Sequence, residues 1–355
     1  MNITIFIAHM SLGGTQRVCY NLIEWIATCT DSKVHLVICS RNKTGNVSFD
    51  LGKFSHTYLS GSIVNKIRGL HQELKKHQTD LLLTMGVPSA MFSVPATLGL
   101  NVKHVISERN DPAHFAGSKA TKILSRLLMR RADGYVFQTK DAQAYYGGDI
   151  AKHSVVIPNP LFLDINSFNV VHEIAKVEMI VASGRLNKQK NHPLLIKAFK
   201  QVHDKYPFYE LVIFGEGPER EKDEALIRKL GLESVVLLPG AVSNVPEKLS
   251  KAVLYVLSSD FEGMPNALME AMAVGLPCIS TDCPCGGPRD LIRNGENGVL
   301  VPVGNEKALT EAMLFMLERT EEAKMMGREA MKIRESYSLD RICQQWYDCF
   351  QRMVK

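Results

Sequence analysis

The chain has 355 residues, 45% of them hydrophobic and 22% charged, with a formal net charge of +5. These are ordinary values for a globular protein with buried cores, and the length suits two domains better than one. No low-complexity run or short solenoid repeat is present, and no stretch approaches the ~18 apolar residues that span a bilayer.

Residues 3–8 form an apolar run without a basic lead-in or a small-residue cleavage site. They read as a first strand and not as a signal peptide. The pattern predicts further strands over 34–39, 81–85, 102–107, 134–138 and 154–157, with helices over 15–28, 63–76 and 119–131. Several of the strands are continuously apolar, as expected where a parallel sheet is covered on both faces.

The series then restarts. Strands are predicted over 178–183, 210–214, 235–238, 252–257, 277–281 and 298–301, and helices over 192–205, 219–230, 245–251 and 266–274. Two successive βα series argue for two doubly wound α/β domains. The join falls at Pro158-Asn159-Pro160, where two prolines exclude regular structure. The expected domains are 1–160 and 161–338, followed by a helix over 339–355 whose stripe of Ile342, Trp346, Phe350 and Met353 packs on a core, with the first domain a candidate for that core.

Charge is divided unevenly. Residues 1–160 carry 18 Lys and Arg against 10 Asp and Glu, whereas residues 161–355 carry 24 against 27. The basic first half is expected to face something anionic. Cysteines stand at 19, 29, 39, 278, 283, 285, 343 and 349. The Cys283 and Cys285 pair fits no zinc template, so these read as core or loop thiols of a reducing cytosol.

Four loops carry the chemistry. The first, Ser11-Leu-Gly-Gly-Thr-Gln-Arg17, follows the opening strand. Paired glycines before a helix let backbone amides approach an anion, although the same loop also reads as a plain turn. It is not the Gly-x-Gly-x-x-Gly of a dinucleotide fold. The second, residues 183–191, reads Ser-Gly-Arg-Leu-Asn-Lys-Gln-Lys-Asn. It offers Arg185, Lys188 and Lys190 to phosphate oxygens, or else is a solvated basic turn. The third, Phe214-Gly-Glu-Gly-Pro218, admits either a ligand or a neighbouring backbone. In the fourth, Glu262 precedes a helix and Glu270 lies within it, inside Glu-Gly-Met-Pro-Asn-Ala-Leu-Met-Glu-Ala-Met-Ala-Val-Gly-Leu-Pro277. A carboxylate in so apolar a helix needs a partner.

The spacing of Glu262 and Glu270 in that run closely resembles the signature of retaining glycosyltransferases of family 4, which have the GT-B fold. The 183–191 and 214–218 runs, the Gly13-Gly14 loop and Gly286-Gly-Pro-Arg-Asp-Leu-Ile292 extend the resemblance over nearly the whole chain. It implies two Rossmann-like domains facing a central cleft, the first binding acceptor and the second a nucleotide sugar. By the same resemblance Arg185 and Lys190 bind the donor diphosphate, and Glu262 faces the donor sugar. Backbone of Gly263, Met264, Pro265 and Asn266 lines sugar and phosphates, and Glu270 bonds the ribose. Gly14 approaches phosphate from the other domain, and the base rests near residues 240–245, with Val242 among its contacts.

One departure is visible. Where many relatives carry a histidine after the fourth strand, this chain has Arg109 followed by Asn110. Arginine cannot act as a base at neutral pH, so Arg109 is expected to stabilise phosphate or sugar hydroxyls, or else to pair with Asp111. Both residues are acceptor-side candidates.

The resemblance thus implies transfer from a nucleotide diphosphate sugar, a UDP-sugar by preference, to an acceptor hydroxyl with retention. The acceptor is expected to be a lipid-linked glycan of bacterial O-antigen or capsule synthesis. No cofactor or metal is expected, since two cations replace magnesium and no Asp-x-Asp occurs. The run from Lys119 to Arg131 interleaves five cations with apolar residues, and is expected either to seat a cytoplasmic protein peripherally on the inner face of the membrane or to be an ordinary surface helix. Nucleic-acid binding is not expected, because the basic residues lack interleaved aromatics. A sugar-nucleotide epimerase and a non-catalytic nucleotide-sugar-binding protein are the rival readings.

Overall fold

In a computed structural model, residues 1–11, 13–40, 49–114, 118–162, 178–242 and 245–355 are described. The chain divides into two compact units, Met1–Pro160 with Leu339–Lys355, and Leu161–Ser338. Among the described residues no helix is long and apolar enough to cross a membrane.

The first unit holds β1 (Asn2–Ile7), β2 (Lys33–Ile38), β3 (His56–Tyr58), β4 (Leu81–Met85), β5 (Lys103–Glu108), β6 (Gly134–Phe137) and β7 (Ser154–Val156). They form one parallel sheet in the order β3-β2-β1-β4-β5-β6-β7. All five residues of β4 are buried, as are Ile3, Ile5 and Ile7 of β1, because helices cover both faces. The register pairs Ile3 with both Val34 and Leu81. Ser62 starts the helix Ile63–Lys76 by accepting from Asn65 N, and Ser118 does the same for Lys119–Met129 through Thr121 N.

The terminal helix, Leu339–Val354, belongs to this first unit. It lies along the helix Gly14–Cys29, where Trp25 Nε1 donates to Asp340 Oδ1 at 3.0 Å and Tyr347 OH lies 2.9 Å from Ser32 Oγ. Its buried stripe is Ile342, Cys343, Trp346, Cys349 and Phe350. Met353 reaches Gly134, where a Cβ would meet its methyl group at 2.1 Å.

The second unit holds β8 (Met179–Ser183), β9 (Glu210–Phe214), β10 (Val236–Gly240), β11 (Leu254–Leu257), β12 (Cys278–Thr281) and β13 (Val299–Val301). This sheet is also parallel, in the order β10-β9-β8-β11-β12-β13. Leu195, Phe199, Ile213, Val256 and Met313 form the core on one face, and Tyr255, Leu268, Met272 and Leu276 belong to that on the other. Strand order reverses between β8 and β11, and an open α/β sheet takes its ligand outside the carboxyl ends of the strands at such a switch point.

The α/β class and the two doubly wound sheets are therefore as the pattern predicts, and the shared strand and helix bounds agree within two residues. Other elements carry no such signal. β3 is a three-residue half-buried edge strand, His-Thr-Tyr, too short and polar to show a period. The helices Glu306–Glu318 and Thr320–Ala330 stand in a region with no predicted element.

Trp346 is 1% exposed and is among the largest side chains in either core. Trp346→Ala is expected to lower stability by about 3–5 kcal/mol, measured as a drop in the urea midpoint. A midpoint within error of the wild type would mean that the terminal helix is not packed as described.

Candidate active site

The loop after β8 is shaped by its neighbours. Gly184 N donates to Phe214 O at 2.9 Å, Leu186 N to Glu216 O at 3.0 Å, and Glu219 N to Leu186 O at 3.0 Å. A Cβ on Gly215 would lie 1.8 Å from Gly184 O, and one on Gly217 would lie 2.2 Å from Leu186 O. The glycines of the Phe-Gly-Glu-Gly-Pro run thus admit a neighbouring backbone, which settles the choice left open by the sequence.

Further on, the Asn187 side chain accepts from Lys190 N at 3.1 Å and caps the single turn Lys188–Lys190. Asn191, at φ +45°, accepts from Leu194 N and donates to Asp260 Oδ1 at 2.7 Å. Ser258 Oγ donates to Lys190 O at 2.9 Å, Asp260 N to Gln189 O at 2.8 Å, and Gln189 Nε2 to Phe261 O at 3.0 Å. These bonds stitch the loop after β8 to the loop after β11, across the switch point.

At the seam lies an ion pair. Lys190 Nζ donates to Glu262 Oε1 at 2.6 Å, with the two side chains 15% and 8% exposed. Ser259 Oγ donates to the same oxygen at 2.7 Å, and Gln189 Nε2 lies 3.4 Å from Oε2. A carboxylate so covered needs its charge matched and its lone pairs bonded, and both conditions are met. An ammonium has three protons to donate, so a ligand can share Lys190 without displacing Glu262.

The main chain around Glu262 is fixed from a third side. Glu262 N donates to Pro284 O at 2.7 Å and Cys285 N donates back to Glu262 O at 3.1 Å. A Cβ on Gly287 would lie 1.8 Å from Gly263 O, so the Gly-Gly-Pro run packs beneath this loop. The helix Asn266–Ala273 starts after Pro265 with no side-chain cap, which leaves its first amides to bond elsewhere. Met264 is buried, as is Glu270 inside the helix.

Arg185 is exposed on the β8 loop, next to Gly184. Val242 is half-buried just beyond β10, and residues 243 and 244 of the predicted base-binding run lie outside the described residues. Hence Arg185, Lys190, Glu262–Asn266, Glu270 and Val242 all belong to the second unit, on or just beyond loops at the carboxyl ends of β8, β10 and β11. Ser259 and Gln189, which hold Glu262, were not singled out by the sequence. Their only signal is proximity in the chain to Glu262 and Lys190.

In the first unit, Gly14 opens the helix Gly14–Cys29, whose Gly13 cap makes no side-chain bond. Leu12 of the same loop lies outside the described residues. Arg109 is held within the first unit. It is 8% exposed, donates from Nη1 to Ile157 O at 3.0 Å and from Nη2 to Asn159 Oδ1, and sits 5.5 Å from the centre of the Trp346 ring. This places it inside the unit, joining the end of β5 to the proline-rich connector and the terminal helix. Among the described residues it does not pair with Asp111. Burial pulls it down to about 9, and burial pushes the adjacent Glu108 carboxyl up to about 7 against the N–H groups of Arg109 and Asn110 that bond it. Asn110 is exposed. Asp111 instead meets His114, Oδ2 to Nδ1 at 2.7 Å, an i,i+3 pair.

The helix Lys119–Met129 turns its apolar residues outward. Ile123 is 61% exposed, Leu124 44% and Leu127 56%, while only Ser125 and Met129 are buried. Lys122 Nζ donates to Ala113 O at 3.0 Å, and Arg126 stacks over Tyr145, 4.7 Å from the ring centre.

The chain is similar to known proteins over most of its length. Residues 165–333 match the family model described as "Glycosyl transferases group 1". The chain is 26% identical to an uncharacterized glycosyltransferase of Haemophilus influenzae, covering 95% of this chain and 96% of that one. It is 25% identical, over 98% of this chain and 97% of the other, to the GalNAc-alpha-(1->4)-GalNAc-alpha-(1->3)-diNAcBac-PP-undecaprenol alpha-1,4-N-acetyl-D-galactosaminyltransferase of Campylobacter jejuni. Among solved structures, Anabaena HepE in complex with UDP-glucose superposes with a TM-score of 0.83 at 18% identity, covering 99% of this chain and 100% of that one.

Gly215→Ala tests how the β8 loop is held. Forcing a methyl group against Gly184 O is expected to cost about 1–3 kcal/mol and to weaken nucleoside diphosphate binding at least tenfold, read by thermal melting and calorimetry. An unchanged melt and unchanged affinity would show that the two loops are not in contact.

Proposed function

We propose that this chain, which matches the group 1 glycosyltransferase model over residues 165–333 and has the two Rossmann-like sheets of the GT-B fold, moves a sugar from a UDP-sugar to a hydroxyl of a lipid-linked glycan, with retention of configuration. The observation that carries this reading is the Lys190 and Glu262 pair at the switch point of the second sheet. A carboxylate held there can accept from donor-sugar hydroxyls, and the ammonium beside it can donate to phosphate oxygens.

As the glycosidic bond to phosphate breaks, positive charge grows on the sugar ring and negative charge on the departing diphosphate. Lys190 and the exposed Arg185 would offset the second charge, aided by the amides at the start of the helix Asn266–Ala273. Glu262 would hold the sugar, with its own orientation set by Ser259 and Gln189. Backbone of Gly263, Met264 and Pro265 would line the sugar and phosphates. Glu270 would bond ribose hydroxyls, Val242 would lie by the base, and Gly14 is the phosphate-contacting candidate of the first unit. Attack from the face that the diphosphate leaves retains configuration and lets a phosphate oxygen take the acceptor proton. Two cations serve in place of a metal in this scheme.

The lipid-linked acceptor is supported by the name of the Campylobacter relative, which specifies an undecaprenol-linked substrate. The uridine donor is supported by the UDP-glucose complex of HepE. The helix Lys119–Met129 is proposed to rest on an anionic bilayer. Ile123, Leu124 and Leu127 would enter the interface, and Lys119, Lys122, Arg130 and Arg131 would meet lipid phosphates at about 1 kcal/mol each. Asn110 remains an acceptor-side candidate.

Transfer assayed as nucleotide release, with and without lipid-linked acceptor, tests the reaction. Lys190→Ala is expected to lower kcat at least a hundredfold, about 2.7 kcal/mol, in an assay run well below the variant's melt, which also falls because Glu262 loses its buried counter-charge. Near-normal turnover would remove Lys190 from the mechanism, and free sugar released from donor alone would favour the epimerase reading instead. For the membrane, the protein is expected to float with anionic liposomes at low salt and Leu127→Asp to float less. No flotation of the wild type would end that part of the proposal.

A further inference from the structure

At the edge of the first sheet opposite the strands' carboxyl ends, two histidines and a glutamate meet. His35 stands third in β2, paired in register with Thr4 of β1. Glu73 lies near the end of the helix Ile63–Lys76, and His77 caps that helix. Their i,i+4 spacing puts Glu73 and His77 on one face, and β2 brings His35 to the same place. None of these residues serves the donor or acceptor roles above, and the ligand rule for doubly wound sheets does not call for a site at this end.

His35 Nε2 lies 3.1 Å from Glu73 Oε2, and His77 Nε2 lies 3.3 Å from the same oxygen. All three donor atoms fall within 4.8 Å of one another. In a tetrahedral site with bonds of about 2.0–2.1 Å, ligand atoms stand roughly 3.3 Å apart. Two of the three spacings already have that value. Both Nε2 atoms are buried, and despite the nearby carboxylate neither has a hydrogen-bond partner among the described residues. Buried polar atoms without a partner call for a cause.

The surroundings are those of a ligand set. His35 Nδ1 is 2.7 Å from Ser55 Oγ, and Thr57 Oγ1 donates to Glu73 Oε2 at 3.1 Å, so outer contacts orient both groups. The two imidazoles stack with centres 3.7 Å apart. Parallel rings aim their Nε2 lone pairs side by side, so His77, the more exposed ring at 28%, must swing for both to converge on one ion. A cavity of about 400 Å³, lined by both rings with Lys33, Lys53, Phe54 and Ser55, gives room for that swing and for water.

We propose that His35, Glu73 and His77 bind one divalent transition-metal ion of the zinc class, with water as the fourth ligand, clamping β2 to the C-terminal turn of the helix Ile63–Lys76. Two imidazole nitrogens and one carboxylate oxygen suit zinc, nickel or cobalt, whereas magnesium and calcium prefer all-oxygen sets. The bound ion would stabilise the first unit by linkage, since the unfolded chain has no such site.

The test uses the full chain without an affinity tag, stripped with EDTA and desalted. Zinc chloride is titrated by calorimetry, and cobalt chloride by visible absorption. One zinc ion per chain is expected, with a tetrahedral cobalt spectrum and a melt raised by roughly 5 °C or more at a hundredfold excess over Kd. His77→Ala and Glu73→Gln should each weaken binding at least tenfold and abolish the zinc-dependent rise, while magnesium raises the melt of none of the three. His77 lies at a helix cap and Glu73→Gln preserves shape, so at least one stripped variant should melt like the stripped wild type. No saturable binding by the wild type, or equal binding and equal melt shifts in wild type and the folded variant, would overturn the site.

Discussion

A single buried ion pair organises the second unit. Lys190 arrives from the loop after β8 and Glu262 from the loop after β11, and they meet at 2.6 Å where the strand order reverses. Neither charge is tolerable there alone, because removing one partner leaves the other desolvated and unbalanced. The pair therefore couples the positions of two loops whose strands are neighbours in the sheet but whose residues are 72 apart in the chain. It also leaves two ammonium protons for an incoming anion, which makes a structural contact compatible with a chemical one.

Much of the remaining motif supports that pair through contacts within the protein. Gly215 and Gly217 exist so that β9's loop can lie against the main chain at Gly184 and Leu186, and Gly287 lets another loop pack under Gly263. Asn187, Asn191 and Asp260 supply local bonds that hold Lys190 in its turn. A loop pair held in this way is preorganised by backbone contacts, as the proposed transfer would require.

The first unit shows the same economy in another form. Arg109 joins the end of β5 to Ile157 and Asn159 and lies over Trp346, so one guanidinium secures the connector and the terminal helix together. Its neighbour Glu108 is satisfied by backbone amides instead. On the same unit, Ile123, Leu124 and Leu127 are exposed among the described residues, beside cations that favour an anionic surface.

Period and punctuation determined a great deal. Short, largely apolar runs such as Leu81–Met85 suit strands covered on both faces, and the alternation of such runs with amphipathic ones is the signature of parallel crossovers. The spacing of Glu262 and Glu270, with Arg185 and Lys190 upstream, was legible because these residues lie in short uninterrupted motifs. Folding alone decided which partners they take. The Lys190 to Glu262 bond, the service of Ser259 and Gln189, and the burial of Arg109 against Trp346 join residues far apart in the chain or too common to stand out. So does the meeting of His35 with Glu73 and His77, since β2 and a helix end come together only when the sheet closes its order. Local sequence carries information about period and backbone freedom, whereas side-chain partners depend on which distant segment arrives, and that is set by packing of the whole unit.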